Sequence, residues 1–167
     1  RGRENEICLN DGNGTFSKSI GYGNKKDSTI DVEVADMDAD GDYDLILANR
    51  DDQPNYVYLN EGDLTFVKKI PFGTGKDITR SVAVSDIDKD GYLDIVTANI
   101  GEPNVIYFGD AELTYARNIV FDSSSDKSYA IALGDLNSDD SIDIIIGNSG
   151  QPNTLFLSEE KGRVWKK

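Results

Sequence analysis

The sequence predicts an all-β protein assembled from one structural unit used three and a half times. Two observations carry this reading. Runs of about five residues rich in β-branched and aromatic side chains are bounded throughout by Gly, Pro, Asn or Asp, and no segment follows the helical period. The same landmarks also return at a fixed interval. Asp36, Asp86 and Asp135 are spaced by 50 and 49 residues, and Asn5, Asn55, Asn104 and Asn153 by 50, 49 and 49. A period of this size marks a supersecondary unit stacked on copies of itself.

Each unit reads as four short strands. The first is apolar and covers Thr29–Ala35, Thr79–Ser85 and Ser128–Gly134. The second covers Tyr43–Ala48, Leu93–Ala98 and Ile142–Gly147, and the third Asn55–Asn60, Asn104–Gly109 and Asn153–Ser158. The fourth is expected over Thr65–Ile70, Thr114–Ile119 and Arg163–Lys167. Ahead of these, Glu4–Asn10 and Thr15–Ile20 match a third and a fourth strand, joined by Asp11-Gly12-Asn13-Gly14, a strong hairpin signal. The expected organisation is a single region over 1–167, with a half unit at 4–20 and full units at 29–70, 79–119 and 128–167.

Between the first and second strands of every unit lies an acidic loop. Asp86–Asp94 reads DIDKDGYLD, with Asp86, Asp88, Asp90 and Asp94 at positions 1, 3, 5 and 9 and Gly91 at position 6. Asp36–Asp44 reads DMDADGDYD, with Asp36, Asp38, Asp40 and Asp44 at the same positions. Asp135–Asp143 reads DLNSDDSID, with Asp135, Asn137, Asp139 and Asp143 there and Asp140 in place of the glycine. Four carboxylates on nine residues repel one another unless a cation sits among them. Oxygen-only donors on a short loop suit a hard cation, calcium before magnesium. The glycine permits the sharp turn. An EF-hand is excluded, because position 12 is Leu47, Thr97 or Ile146 rather than Glu, and the flanks are strands. A single such loop has the alternative reading of an acidic surface turn; three at a fixed period point to metal.

DxDxDGxxD between two strands, followed by PNxxYLNxGxxTF, resembles the FG-GAP/VCBS-type repeat of integrin α heads, fungal propeller lectins and secreted microbial proteins. The resemblance extends from Glu4 to Ser158. It implies a β-propeller of four-stranded antiparallel blades, commonly seven, with one calcium per loop and so up to three here. It also implies a backbone carbonyl ligand at position 7: Asp42, Tyr92 and Ser141. The third loop departs from the pattern at Asn137 and Asp140, which predicts a weaker site.

Lys and Arg number 17 against 31 Asp and Glu, a formal charge of −14. Eleven of those acids stand at positions 1, 3, 5 and 9 of the loops, so much of the acidity is ligand rather than field. A net negative chain argues against nucleic-acid partners, and no run of about 18 apolar residues is present to insert in a membrane. Absence of histidine removes Ser-His-Asp and Cys-His sites and histidine-bound zinc. The expectation is a calcium-stabilised, non-catalytic extracellular module for adhesion or for recognition of a carbohydrate or protein. The alternative is the propeller portion of a polysaccharide-active lyase or hydrolase.

Cys8, the sole cysteine, aligns with Tyr58, Tyr107 and Phe156 and is expected to pack between units. Tyr22, Phe72 and Phe121, each followed five residues on by Asp27, Asp77 or Asp126, are expected to order the connection between units. Arg80 and Tyr129 align with Ile30, a place that varies among units, and are the candidate ligand contacts. Three and a half blades do not close a ring. The remaining blades are expected from another polypeptide segment or from a second copy, and Phe156 is expected to lie exposed at one end.

Overall fold

The computed structural model describes residues 4–24, 26–159 and 164–166. These hold fourteen strands: β1(Asn5–Leu9), β2(Lys18–Tyr22), β3(Thr29–Ala35), β4(Asp44–Asn49), β5(Asn55–Tyr58), β6(Lys69–Phe72), β7(Thr79–Ser85), β8(Asp94–Asn99), β9(Asn104–Tyr107), β10(Asn118–Asp122), β11(Ser128–Gly134), β12(Asp143–Asn148), β13(Thr154–Glu159) and β14(Val164–Lys166). They form one two-stranded sheet, β1-β2, and three four-stranded sheets ordered β3-β4-β5-β6, β7-β8-β9-β10 and β11-β12-β13-β14. Every neighbouring pair is antiparallel, so each sheet is an up-and-down meander of the kind that forms a propeller blade. None of the described residues belongs to a helix able to cross a membrane.

Alternation of side chains along the strands stacks the sheets, because successive residues point to opposite faces. On β4 and β5, Leu45, Leu47 and Tyr58 pack toward Ile7 and Tyr22 of the first hairpin. Their neighbours Ile46, Ala48 and Val57 pack toward Val82, Ile95 and Tyr107 of the next sheet. One unit on, Val96 and Ile106 meet Ile144, Ile146 and Phe156. In the first two four-stranded sheets the second and third strands are thus buried on both sides, which explains why they read as apolar runs rather than alternating ones.

The first strands coincide with their expected limits. The fourth strands do not. They begin four residues later than expected, at Lys69 and Asn118, and β2 begins three residues later, at Lys18. Asp63 and Leu64, and likewise Leu113 and Tyr115, have positive φ, which breaks an extended run. Asp110 Oδ1 accepts the Thr114 N–H at 2.9 Å and holds this segment as a turn. Tyr115 is nevertheless 3% exposed: it reaches the core from a turn, and so carries the apolar signature of a strand without being one. The expected limits Arg163 and Lys167 lie outside the described residues.

The shift moves Tyr22, Phe72 and Phe121 from the connection into the fourth strands. There Tyr22 meets Tyr58 at 6.1 Å between centroids, Phe72 meets Tyr107 at 5.7 Å and Phe121 meets Phe156 at 5.2 Å, all edge-on. Ordering of the connection falls to the acids that follow. Asp27 accepts the Asn24 N–H at 2.9 Å, and Asp77 accepts the Thr74 N–H and Oγ1–H at 2.7 Å each. Gly23 and Gly73 have φ near +80°, and a Cβ on Gly23 would come within 2.7 Å of the Asp27 carboxylate, so both features require glycine.

Two expectations about the ends are corrected. Phe156 is 3% exposed, because it faces the preceding sheet and Phe121 covers it. Cys8 is exposed, because the same face of the first hairpin has no preceding sheet among the described residues. The uncovered apolar surface of the last sheet lies on its other side. Leu136 and Leu155 are 51% and 42% exposed, whereas Ile87 and Ile106 at the same places one unit earlier are both 0%.

Candidate metal centre

Each acidic loop folds around its own carboxylates. In the second, Asp86 accepts the N–H groups of Asp90 at 3.1 Å and Gly91 at 3.0 Å, and Asp90 accepts that of Tyr92 at 3.0 Å. The first loop repeats these bonds among Asp36, Asp40, Gly41 and Asp42, and the third among Asp135, Asp139, Asp140 and Ser141. Position 7 is thereby drawn against position 5 in all three.

The aspartate at position 9 ties the loop to the sheet. Asp94 is fully buried and accepts the N–H groups of Ile87 and Gly109, both at 2.8 Å. Asp44 accepts from Met37 and Asn60, and Asp143 from Leu136 and Ser158. One side chain therefore joins the loop to the end of the third strand. Burial, and after it the nearby Asp88 and Asp90 charges, push the Asp94 carboxyl up to about 6. Burial likewise raises Asp44 and Asp38, the latter with help from Asp40.

Two groups of carboxylates converge. Asp36, Asp38 and Asp40 bring oxygens within 4.8 Å of one another, as do Asp86, Asp88 and Asp94. Asp44 stands outside the first group and Asp90 outside the second. No third group of three acids forms among the described residues. In that loop the Asn137 amide donates to Asp139 Oδ2 at 2.9 Å, where an acid would have added charge. Asp140 takes φ of +63°, against +99° and +94° at Gly41 and Gly91, within the left-handed region that aspartate tolerates. Position 4 is left-handed as well, at Ala39, Lys89 and Ser138, which no glycine signals in the sequence.

The second loop offers a direct test of fit. Asp88 Oδ1 is buried without a hydrogen-bond partner, an arrangement that costs free energy in isolation. An oxygen-only donor set with one such orphan fits a hard cation.

Arg80 and Tyr129 lie at the opposite end of the first strands. In every unit the register of the first pair shifts around one residue: between Thr29 and Asp31, Thr79 and Ser81, and Ser128 and Ala130. The residues in those bulges are Ile30, Arg80 and Tyr129. A bulge frees a side chain from the sheet's alternation and re-aims it. The Arg80 guanidinium lies 5.7 Å from the centre of the Tyr129 ring, and Tyr129 is 48% exposed. Arg80 Nε is buried with no acceptor.

The periodic asparagines, read in the sequence as strand openers, join one unit to the next. Asn104 Oδ1 accepts the Asn99 N–H at 2.8 Å, while its Nδ2 donates to Ser128 Oγ at 3.0 Å on the following sheet. Asn55 does the same between Asn49 and Thr79, and Asn5 Nδ2 donates to Thr29 Oγ1. The signal was present in the sequence: a hydroxyl residue, Thr29, Thr79 or Ser128, shares the period of the asparagines.

Comparison with known proteins agrees with this architecture. No curated protein matches the chain. The family model for the FG-GAP-like repeat matches twice, over residues 36–97 and 86–146, each match spanning two successive acidic loops and ending in the second strand of the later unit. Together the matches cover more than half of the chain, which therefore belongs to the FG-GAP-like repeat family.

Proposed function

We propose that this chain is a calcium-stabilised, non-catalytic β-propeller module that acts outside the cell in adhesion or ligand recognition. The observation that carries the proposal is the convergence of carboxylate oxygens in the loops of two adjacent sheets. Asp36, Asp38 and Asp40 would hold one ion, and Asp86, Asp88 and Asp94 another, with weaker binding at Asp135, Asn137, Asp139 and Ser141. Bound calcium supplies positive charge that relieves repulsion among these side chains. The chain's own part is to fix the loops between first and second strands, through the backbone bonds that Asp44, Asp94 and Asp143 accept. Extracellular calcium, near millimolar, fills sites of modest affinity.

Ligand recognition is assigned to the row of bulge residues. Tyr129 presents a half-exposed ring and Arg80 a guanidinium, a pairing suited to the face and polar rim of a sugar or to an anchor on a protein. A glycan array probed in calcium tests the choice. Binding that disappears in Tyr129→Ala and in Arg80→Ala supports a carbohydrate ligand; a wild-type chain that retains no glycan moves the ligand to the protein class.

The uncovered face of the last sheet is assigned to a further blade, from another polypeptide segment or a second copy. Leu136 and Leu155 support this, since their counterparts one unit earlier are fully covered by the next sheet. Val32 and Val34, 38% and 54% exposed on β3, ask for the same cover on the other side. Apolar patches of this kind seldom stay bare in a monomer. Light scattering on the purified chain is expected to show association. A stable monomer that binds no apolar dye would count against the assignment.

A further inference from the structure

The second acidic loop already carries a cation of its own chain. Arg117, just ahead of β10, places a guanidinium nitrogen 2.5 Å from Asp88 Oδ2 and 3.6 Å from Asp90 Oδ2. The same guanidinium lies over the Phe108 ring, 3.9 Å from its centre, and Phe108 is buried. Stacking on a core aromatic pre-positions the group, so little freedom is lost in forming the pair. Asp88 is thereby divided: one oxygen meets Arg117, and the other is buried and unpaired.

The arginine is not needed to shape the loop. The first and third loops make the same backbone bonds to positions 1, 5 and 9 without an arginine. At the equivalent place beside the first loop stands Lys68, whose charge is felt by Asp38 without a close ion pair among the described residues, and which has Leu59 where Phe108 would be. What Arg117 adds to the second loop is charge, on carboxylates that a divalent ion also requires.

We propose that Arg117 is a built-in counter-cation of the second loop, antagonistic to calcium, that sets the calcium concentration at which this loop fills. It neutralises Asp88 and Asp90 when the loop holds no ion. Once a divalent ion occupies the loop, the guanidinium faces like charge and a weakened partner. Its stabilisation is therefore larger in the ion-free state than in the bound one. Linkage makes the effect reciprocal: whatever Arg117 loses on binding is subtracted from calcium affinity. This rests on the calcium reading above, and the test separates the two.

Calcium chloride is titrated calorimetrically into the full wild-type chain, Arg117→Gln and Arg117→Lys, with thermal unfolding in chelator alongside. Arg117→Gln is expected to tighten one site by about fivefold, equivalent to about 1 kcal/mol, the upper range for a half-exposed ion pair. Its unfolding midpoint in chelator is expected to fall below wild type and to converge with it in saturating calcium. Arg117→Lys keeps the charge but loses the planar group stacked on Phe108, and is expected to tighten that site by less than the Gln variant does. Arg117→Met keeps the stem over Phe108 and replaces the Gln variant if the latter folds poorly. Unchanged or weaker calcium binding in the neutral variants overturns the antagonism while leaving the calcium sites standing. A wild-type chain that binds no calcium overturns both.

Discussion

Removal of calcium is expected to lower the thermal unfolding midpoint by about 10 °C. Each site at tenfold excess of calcium over its Kd adds about 1.4 kcal/mol of stability, so the two converging groups contribute about 3 kcal/mol and a third weaker site brings the sum toward 4. For a domain of this size each kcal/mol moves the midpoint by about 2–4 °C. The physical source is repulsion. Asp36, Asp38 and Asp40 crowd one loop, and Asp86, Asp88 and Asp94 the next, and in each group burial or neighbouring carboxylates already raise the pKa of a member. Scanning calorimetry in calcium and in chelator measures the shift. Equal midpoints would remove calcium from the account of stability.

Asn104→Ala should cost about 3 kcal/mol, and Asn153→Ala less than about 1. Asn104 is 0% exposed and works on both of its amide atoms. Its loss leaves the Asn99 N–H without an acceptor and takes a donor from Ser128 Oγ and from Asp122 Oδ2, and a buried group left unpaired costs about 1–3 kcal/mol. Asn153 occupies the same place one unit later and accepts the Asn148 N–H at 3.0 Å, but it is exposed, so water replaces the lost bond. Urea unfolding of the two variants, read as midpoints at constant slope, makes the comparison. Equal losses would mean that the asparagines act only within their own turns and do not join one sheet to the next.

The contrast between Asn104 and Asn153 shows what a repeating sequence conceals. The two residues are the same letter in the same local context, and their difference in burial comes from the presence or absence of a following sheet. Cys8 follows the same logic at the other end: its alignment with Tyr58 and Tyr107 identifies a packing position, yet the cysteine is exposed for want of a neighbour. Phe156 fails as an expected exposed residue for the converse reason, since its neighbour is the sheet before it.

The fourth strands show a different limit. Thr65-Phe66 and Thr114-Tyr115 have the composition of strand residues, and hydrophobicity along the chain does not distinguish an aromatic in a sheet from one that enters the core out of a turn. Positive φ at Leu64, Leu113 and Tyr115 decides it. At Leu113 and Tyr115, both buried, the unfavourable angle is offset by what the side chain gains in the core, a tertiary quantity.

By itself the sequence determined the all-β class, the unit of near 50 residues, the limits of the first strands and the position of every acidic loop. These are local properties. Asp, Asn, Gly and Pro act on the backbone within a few residues of themselves, and their recurrence makes the unit visible. Only the tertiary structure decided which carboxylates converge, that Asp94 spends both oxygens on backbone N–H groups, that Arg117 sits on Asp88, and that Arg80 meets Tyr129. Apart from the convergence, which depends on how each loop curls, each of these brings together segments far apart in the chain. Their separation along the chain carries no information about their distance in space until the sheets have stacked.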